Sequence, residues 1–128
     1  MPVSLEYDGV INSNFLLDLY RTQMMHKNNS DYVEVVWRIR APGPKYMIRI
    51  FVAANGFNLA YKNECDRNFM EIYAKTTRRK DRLKQFCGSV AENVDTESNS
   101  AFVRIFMRKE ALLETKIEAW YSSYQKGK

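Results

Sequence analysis

Two stretches of this chain alternate apolar and polar residues at every second position, and that period decides what the chain can build. In Val33 to Arg40, Val33, Val35, Trp37 and Ile39 share one side, with Glu34, Arg38 and Arg40 on the other. In Ala101 to Arg108, Ala101, Val103, Ile105 and Met107 alternate with Phe102, Arg104, Phe106 and Arg108. Successive side chains of a strand point to opposite faces, so each stretch is a strand with one face buried. Ala41-Pro42-Gly43-Pro44 ends the first, because proline donates no hydrogen bond to a ladder.

The same period recurs in weaker form. Tyr46, Ile48, Ile50 and Val52 alternate with Met47, Arg49 and Phe51. Asn55-Gly56 marks a turn, and Phe57 to Tyr61 is a further short strand candidate. In Phe69 to Tyr73, Met70 and Ile72 point inwards and Glu71 and Tyr73 outwards. Arg82 to Cys87 is a short strand closed by Gly88, and Ile117, Ala119 and Tyr121 alternate with Glu118 and Trp120. Helical spacing is confined to Phe15 to Met25 and, more weakly, Lys109 to Lys116. Short strands between turn signals predict an all-β sandwich with a short N-terminal helix. The length of 128 residues predicts one domain, with 1–8 and 125–128 as loose ends.

The formal charge of +5 favours acidic partners or serves solubility alone. No apolar run approaches the roughly 20 residues a spanning helix needs, and Met1 to Asp8 has neither the basic start nor the apolar stretch of a cleavable leader. One histidine and two cysteines exclude a His-rich or four-cysteine metal site. His26 sits alone in a polar neighbourhood, and neither cysteine has a second histidine to activate it. No Gly-rich phosphate loop is present. The chain is therefore expected to be no enzyme and to carry no cofactor. On spacing alone, Cys65 and Cys87 are either bridged or a pair of buried thiols.

Four segments together resemble a CUB domain, the β-sandwich module of extracellular proteins. Trp37-Arg38-Ile39-Arg40-Ala41-Pro42 resembles the family's W-x-I-x-A-P strand and turn. Cys65 to Tyr73 resembles its C-x-x-D-[YF]-[LVM]-E-[IV]-Y segment, and Phe86-Cys87-Gly88-Ser89 its [RK]-F-C-G-S segment. Lys116 to Tyr121 resembles a worn G-F-x-A-x-Y ending, and Gly9 to Phe15 more weakly an opening G-x-I-x-S-P-N-Y. The resemblance implies a CUB-type antiparallel β-sandwich, jelly-roll-like, with a Cys65–Cys87 disulfide. The family's first bridge is absent, since Val35 stands at its second cysteine position and no cysteine precedes Gly9.

The resemblance also implies a calcium site that this chain has lost. The family's Glu after its F-x-L strand falls on Ala60, its first Asp on Asn68, and its last Asp on Arg108 or Lys109. Calcium needs several hard oxygen ligands, and a cation among them opposes it. No calcium is expected there, with Glu64 and Asp66 the only nearby acids for a rearranged weak site.

Three surface features remain. Phe102, Arg104 and Phe106 fall outwards on one strand, and Trp120 and Glu118 outwards on the last. With the penultimate and last strands neighbours, as the resemblance implies, these form one protein-binding patch of interface-enriched types. Alternatively the segment around Phe15-Leu16-Leu17 covers that face, or a register slip exchanges the faces. Lys75, Arg78, Arg79, Lys80, Arg82 and Lys84 form a basic patch on a loop. It is either a solvated loop or a site for an acidic protein or heparan-type polysaccharide. Asn28-Asn29-Ser30 is an N-glycosylation triplet that also arises by chance.

The resulting expectation is an extracellular, calcium-independent, non-catalytic protein-recognition module of CUB type. Its setting would be a larger secreted or membrane-anchored protein in receptor, adhesion or ligand-capture assembly. Its partner would be an extracellular protein with an acidic face, not nucleic acid, with no direct membrane insertion. The alternative is a basic β domain that binds nucleic acid, glycosaminoglycan or anionic membrane through Lys75 to Lys84.

Overall fold

The computed structural model describes residues 3–6, 10–12, 18, 21, 31–53, 56–61, 63–89 and 91–125. Among the described residues, nine strands pack as two sheets. They are β1 (Val3–Glu6), β2 (Val10–Asn12), β3 (Tyr32–Arg40), β4 (Tyr46–Val52), β5 (Phe69–Ala74), β6 (Arg82–Phe86), β7 (Val94–Asp95), β8 (Ser100–Arg108) and β9 (Glu118–Gln125). The five-stranded sheet runs β1-β3-β8-β5-β6 and the four-stranded sheet β2-β9-β4-β7. Every pairing is antiparallel except β1 with β3.

The period-two rows meet between the sheets. Val33, Val35, Trp37 and Ile39 of β3, Met70 and Ile72 of β5, and Ala101, Val103, Ile105 and Met107 of β8 face Ile48, Ile50, Val52 and Ala119 of the other sheet. Each Val, Ile and Met among them contributes about 1.5–3 kcal/mol by leaving water. The β3–β8 ladder pairs all nine residues of each strand without a shift, from Tyr32 with Arg108 to Arg40 with Ser100.

Several local expectations are corrected. Phe57 to Tyr61 does not form a strand; Asn58 makes one isolated bridge with Lys116, while Phe57 and Leu59 are buried. Just before this segment, the turn after Val52 closes with Gly56 N–H donating to Ala53 O at 3.0 Å. A Cβ on Gly56 would lie 2.8 Å from Glu118 Cβ, so a side chain there would push the turn away from β9. Helical structure after β8 shrinks to one short turn, α1 (Ala111–Glu114). Tyr46 is exposed rather than inward. Val3–Glu6 lies within the segment expected as a loose end, yet it pairs beside β3. Of the predicted N-terminal helix only Asp18 and Arg21 are described, both helical. Gly9, Phe15-Leu16-Leu17, His26 and Asn28 lie outside the described residues.

Candidate functional site

The outer face of the five-stranded sheet is knit together by charge. Arg104, central on β8, donates from Nε to Glu34 on β3 at 2.6 Å and from Nη1 to Glu71 on β5 at 2.6 Å. Glu71 also accepts Arg82 Nη1 on β6 at 2.9 Å and the Tyr73 hydroxyl at 2.8 Å. Four adjacent strands are thus joined by Glu34, Arg104, Glu71 and Arg82. Glu71 is 3 % exposed, although its position points away from the core. Burial alone pushes its carboxyl upwards, but the bonds from Arg82, Tyr73 and Arg104 outweigh it and hold the group below its ordinary value. Burial and then the bond to Glu71 raise the Tyr73 hydroxyl.

Aromatic rings extend this network. Phe106 stacks on Tyr32 with ring centres 5.3 Å apart and on Phe69 at 5.6 Å. The Arg104 guanidinium lies over Phe69 and Phe106 at 5.4 and 5.6 Å. Arg104 and Phe106 are therefore committed to partners within their own sheet. Phe102 is half-buried in the row between Arg38 and Tyr73.

At the far end of β8 lies Arg108, one of the two residues, with Lys109, onto which the resemblance places the family's last calcium-binding Asp. Its backbone N–H donates to Asn68 Oδ1 at 3.0 Å. Its guanidinium donates to Glu64 Oε1 at 2.7 Å from Nη2 and 3.2 Å from Nε. The rings of Tyr32 and Tyr61 lie 5.8 and 5.7 Å from it. The bond to Glu64 raises the Arg108 guanidinium, which stays charged. Asn68 is buried, and the Ala60 N–H donates to the buried Thr115 hydroxyl at 3.2 Å. The Arg108 side-chain cation is bonded to Glu64, and the Arg108 backbone N–H takes the Asn68 oxygen. Among the described residues, no group of three or more His, Cys, Asp or Glu is placed to hold a metal.

Cys65 and Cys87 are joined in a disulfide with Cα atoms 5.5 Å apart. It ties the loop before β5 to the turn after β6, next to Glu64 and Asn68.

The single aromatic patch expected across the last two strands does not form. β8 and β9 belong to different sheets, so Phe102, Arg104 and Phe106 lie on one outer face of the sandwich and Trp120 on the other. The alternation placed each residue outwards correctly; the assumed strand neighbour was wrong. Trp120, 41 % exposed, stacks instead on its β4 partner Phe51 at 5.7 Å. Beside that pair, Arg49 donates to Asp95 at 3.0 Å and lies 4.4 Å over the Tyr124 ring, and the Tyr124 hydroxyl donates to Asp95 at 2.5 Å. Burial pushes the Asp95 carboxyl up, but the bonds from Tyr124 and Arg49 prevail and lower it. Phe51, Arg49 and Tyr124 were missed as site residues, although their outward parity on β4 and β9 was readable.

The basic patch divides. Arg82 is held by Glu71, and Lys84 meets Glu92 at 2.6 Å. Lys75, Arg78, Arg79 and Lys80 are exposed and make no ion pair with another described residue.

The family model of the CUB domain matches residues 17–116, and the chain belongs to the CUB domain family, whose members are extracellular protein-interaction modules. It is 27 % identical over 96 residues to Neuropilin and tolloid-like protein 1 of Mus musculus, covering 75 % of this chain and 17 % of that protein. The chain thus spans under a fifth of that relative's length. Among solved structures, the CUB1-EGF-CUB2 domains of rat MASP-1 match with a TM-score of 0.58 at 15 % identity, covering 97 % of this chain and 43 % of that one. No described helix is long and apolar enough to cross a membrane.

Proposed function

We propose that this chain is an extracellular, non-catalytic protein-recognition module that works without calcium, within a larger secreted or membrane-anchored protein. The observation that carries the calcium-free reading is Arg108. Its guanidinium already bonds Glu64, and its N–H already uses the Asn68 oxygen. An incoming divalent cation would face like charge and lose both oxygens. The end of the sandwich is closed by a built-in cation and a disulfide.

Recognition is assigned to the outer face of the four-stranded sheet. Trp120 stacked on Phe51 supplies a rigid aromatic anchor, and Arg49, Asp95 and Tyr124 supply a polar rim with its bonds satisfied. An aromatic centre inside a polar rim is the anatomy of a protein interface. The partner that fits is an extracellular protein offering an apolar contact ringed by acids, complementary to the net +5. The test is a screen of the immobilised module against secreted proteins and ectodomains, in calcium and in EDTA. A partner bound equally in both, and lost with Trp120→Ser, supports the reading. Binding that needs calcium, or that ignores Trp120, contradicts it.

A further inference from the structure

We propose that the end of the sandwich where β3 stops and β5 turns into β6 binds a sulfated glycosaminoglycan chain. Three elements converge there. Arg40 pairs with Ser100 on β8, and Lys75 N–H donates to the Ser100 carbonyl at 3.2 Å from the other side. Arg40, Ser100 and Lys75 therefore lie in one row across the sheet. One step inwards, Arg38, Phe102 and Tyr73 form the next row. Lys75 adopts a left-handed backbone with φ of 70°, which turns the chain out of the sheet. The three-residue helix Arg79–Asp81 follows, with no buried residue. Arg38, Arg40, Lys75, Arg78, Arg79 and Lys80 are all exposed.

None of these six forms an ion pair with another described residue. The opposing acids at this end are few. Asp81 accepts the Thr76 hydroxyl, Glu97 is exposed on the loop before β8, and Glu6 lies beside Arg38 in the β1–β3 register. Cations dominate, and their side chains are available.

Their arrangement selects the ligand. From β3 to β5 is two strand spacings, roughly 10 Å, and the loop carries the charges further. Cations strung along a line suit a linear polyanion with acidic groups on successive sugars, rather than one small anion. Arginine's planar fork matches sulfate as it matches carboxylate. In the two sheet rows, Tyr73 is buried and Phe102 half-buried, so neither is the exposed apolar anchor a protein partner would need. The site is also separate from the Trp120 face, which lies on the other sheet. That the polyanion is a sulfated polysaccharide, rather than nucleic acid, rests on the extracellular reading above.

The test measures binding of the folded module to immobilised heparin at physiological salt. The variants are K75Q/R78Q/R79Q/K80Q, R38Q/R40Q, and R67Q/K116Q as a control away from this end. The second and third remove the same charge, and all sites are exposed. The expected result is retention of the wild type, at least tenfold weaker binding by the loop variant, at least threefold by R38Q/R40Q, and under twofold change in the control. Desulfated heparin should not bind, and duplex DNA should bind at least tenfold more weakly than heparin. Equal losses in R38Q/R40Q and R67Q/K116Q would overturn the site, because net charge would then explain the binding. Absence of binding to either polyanion would overturn the site and leave the extracellular reading standing. DNA bound more tightly than heparin would overturn both.

Discussion

Arg108 donates to Glu64 across 2.7 Å, joining the end of β8 to the loop that precedes β5. Around that pair sit Asn68, two tyrosine rings and, one residue from Glu64, the Cys65–Cys87 bridge. The Arg108–Glu64 bond is charge-assisted but partly open to water, with both side chains 32 % exposed. Arg108→Gln should keep the fold and lower Tm, and the loss should shrink in 1 M salt, where exposed charges are screened. Thermal melts at two salt concentrations check this; a loss that grows with salt would contradict it.

Glu71 carries the other prediction about charge. Removing it leaves Arg104 and Arg82 without their shared acceptor in a poorly hydrated setting. Glu71→Ala should cost about 3 kcal/mol, the low end for breaking a buried pair, because both arginines keep some solvent contact. Urea unfolding measures it directly. Trp120→Ala is the contrasting case: an exposed ring on the far sheet should cost under about 1 kcal/mol.

Acid should weaken the protein through the same carboxylate. The folded-state pKa of Glu71 is depressed. Its stabilisation is therefore complete above the unfolded value of about 4.3, and it is lost as pH falls through the folded value. Asp95 is depressed too and adds to the slope. Glu71→Gln should flatten the stability profile below pH of about 4.3, leaving a residual slope from Asp95. An unchanged profile in the variant would show that Glu71 is not the group responsible.

The disulfide closes a 22-residue separation. Chain-entropy arguments give such a loop about 3 kcal/mol of stabilisation. The double variant Cys65→Ser/Cys87→Ser should lose about that much in urea unfolding. In the wild type, alkylation followed by intact mass should modify neither cysteine until reductant is added. Free alkylation of both in folded protein from a secretory host would remove the main chemical support for an extracellular setting.

Much of the sandwich was legible in the sequence. In β3, β4 and β8 one face is buried and the other is more open, so Val33 to Ile39 and Ala101 to Met107 announce both the strand and its inner side, whereas β5 is buried on both faces. What period two cannot show is which strand lies alongside. That is why Trp120 was joined to Phe102 and Phe106 when it stacks on Phe51 in the other sheet. Glu71 shows a related limit. Its outward parity was readable, but its burial depends on Arg104 and Arg82 arriving from neighbouring strands. β1 and β2 were missed because three or four residues are too few to display a period. The resemblance placed Ala60, Asn68 and Arg108 or Lys109 at the family's acidic positions; that Arg108 bonds Glu64 needed the fold.

The most direct measurement is a calorimetric titration of the folded, disulfide-bonded module with calcium chloride, paired with thermal melts in millimolar calcium and in EDTA. The account predicts no saturable heat and the same Tm in both. Saturable binding of one calcium that raises Tm would contradict the calcium-free reading.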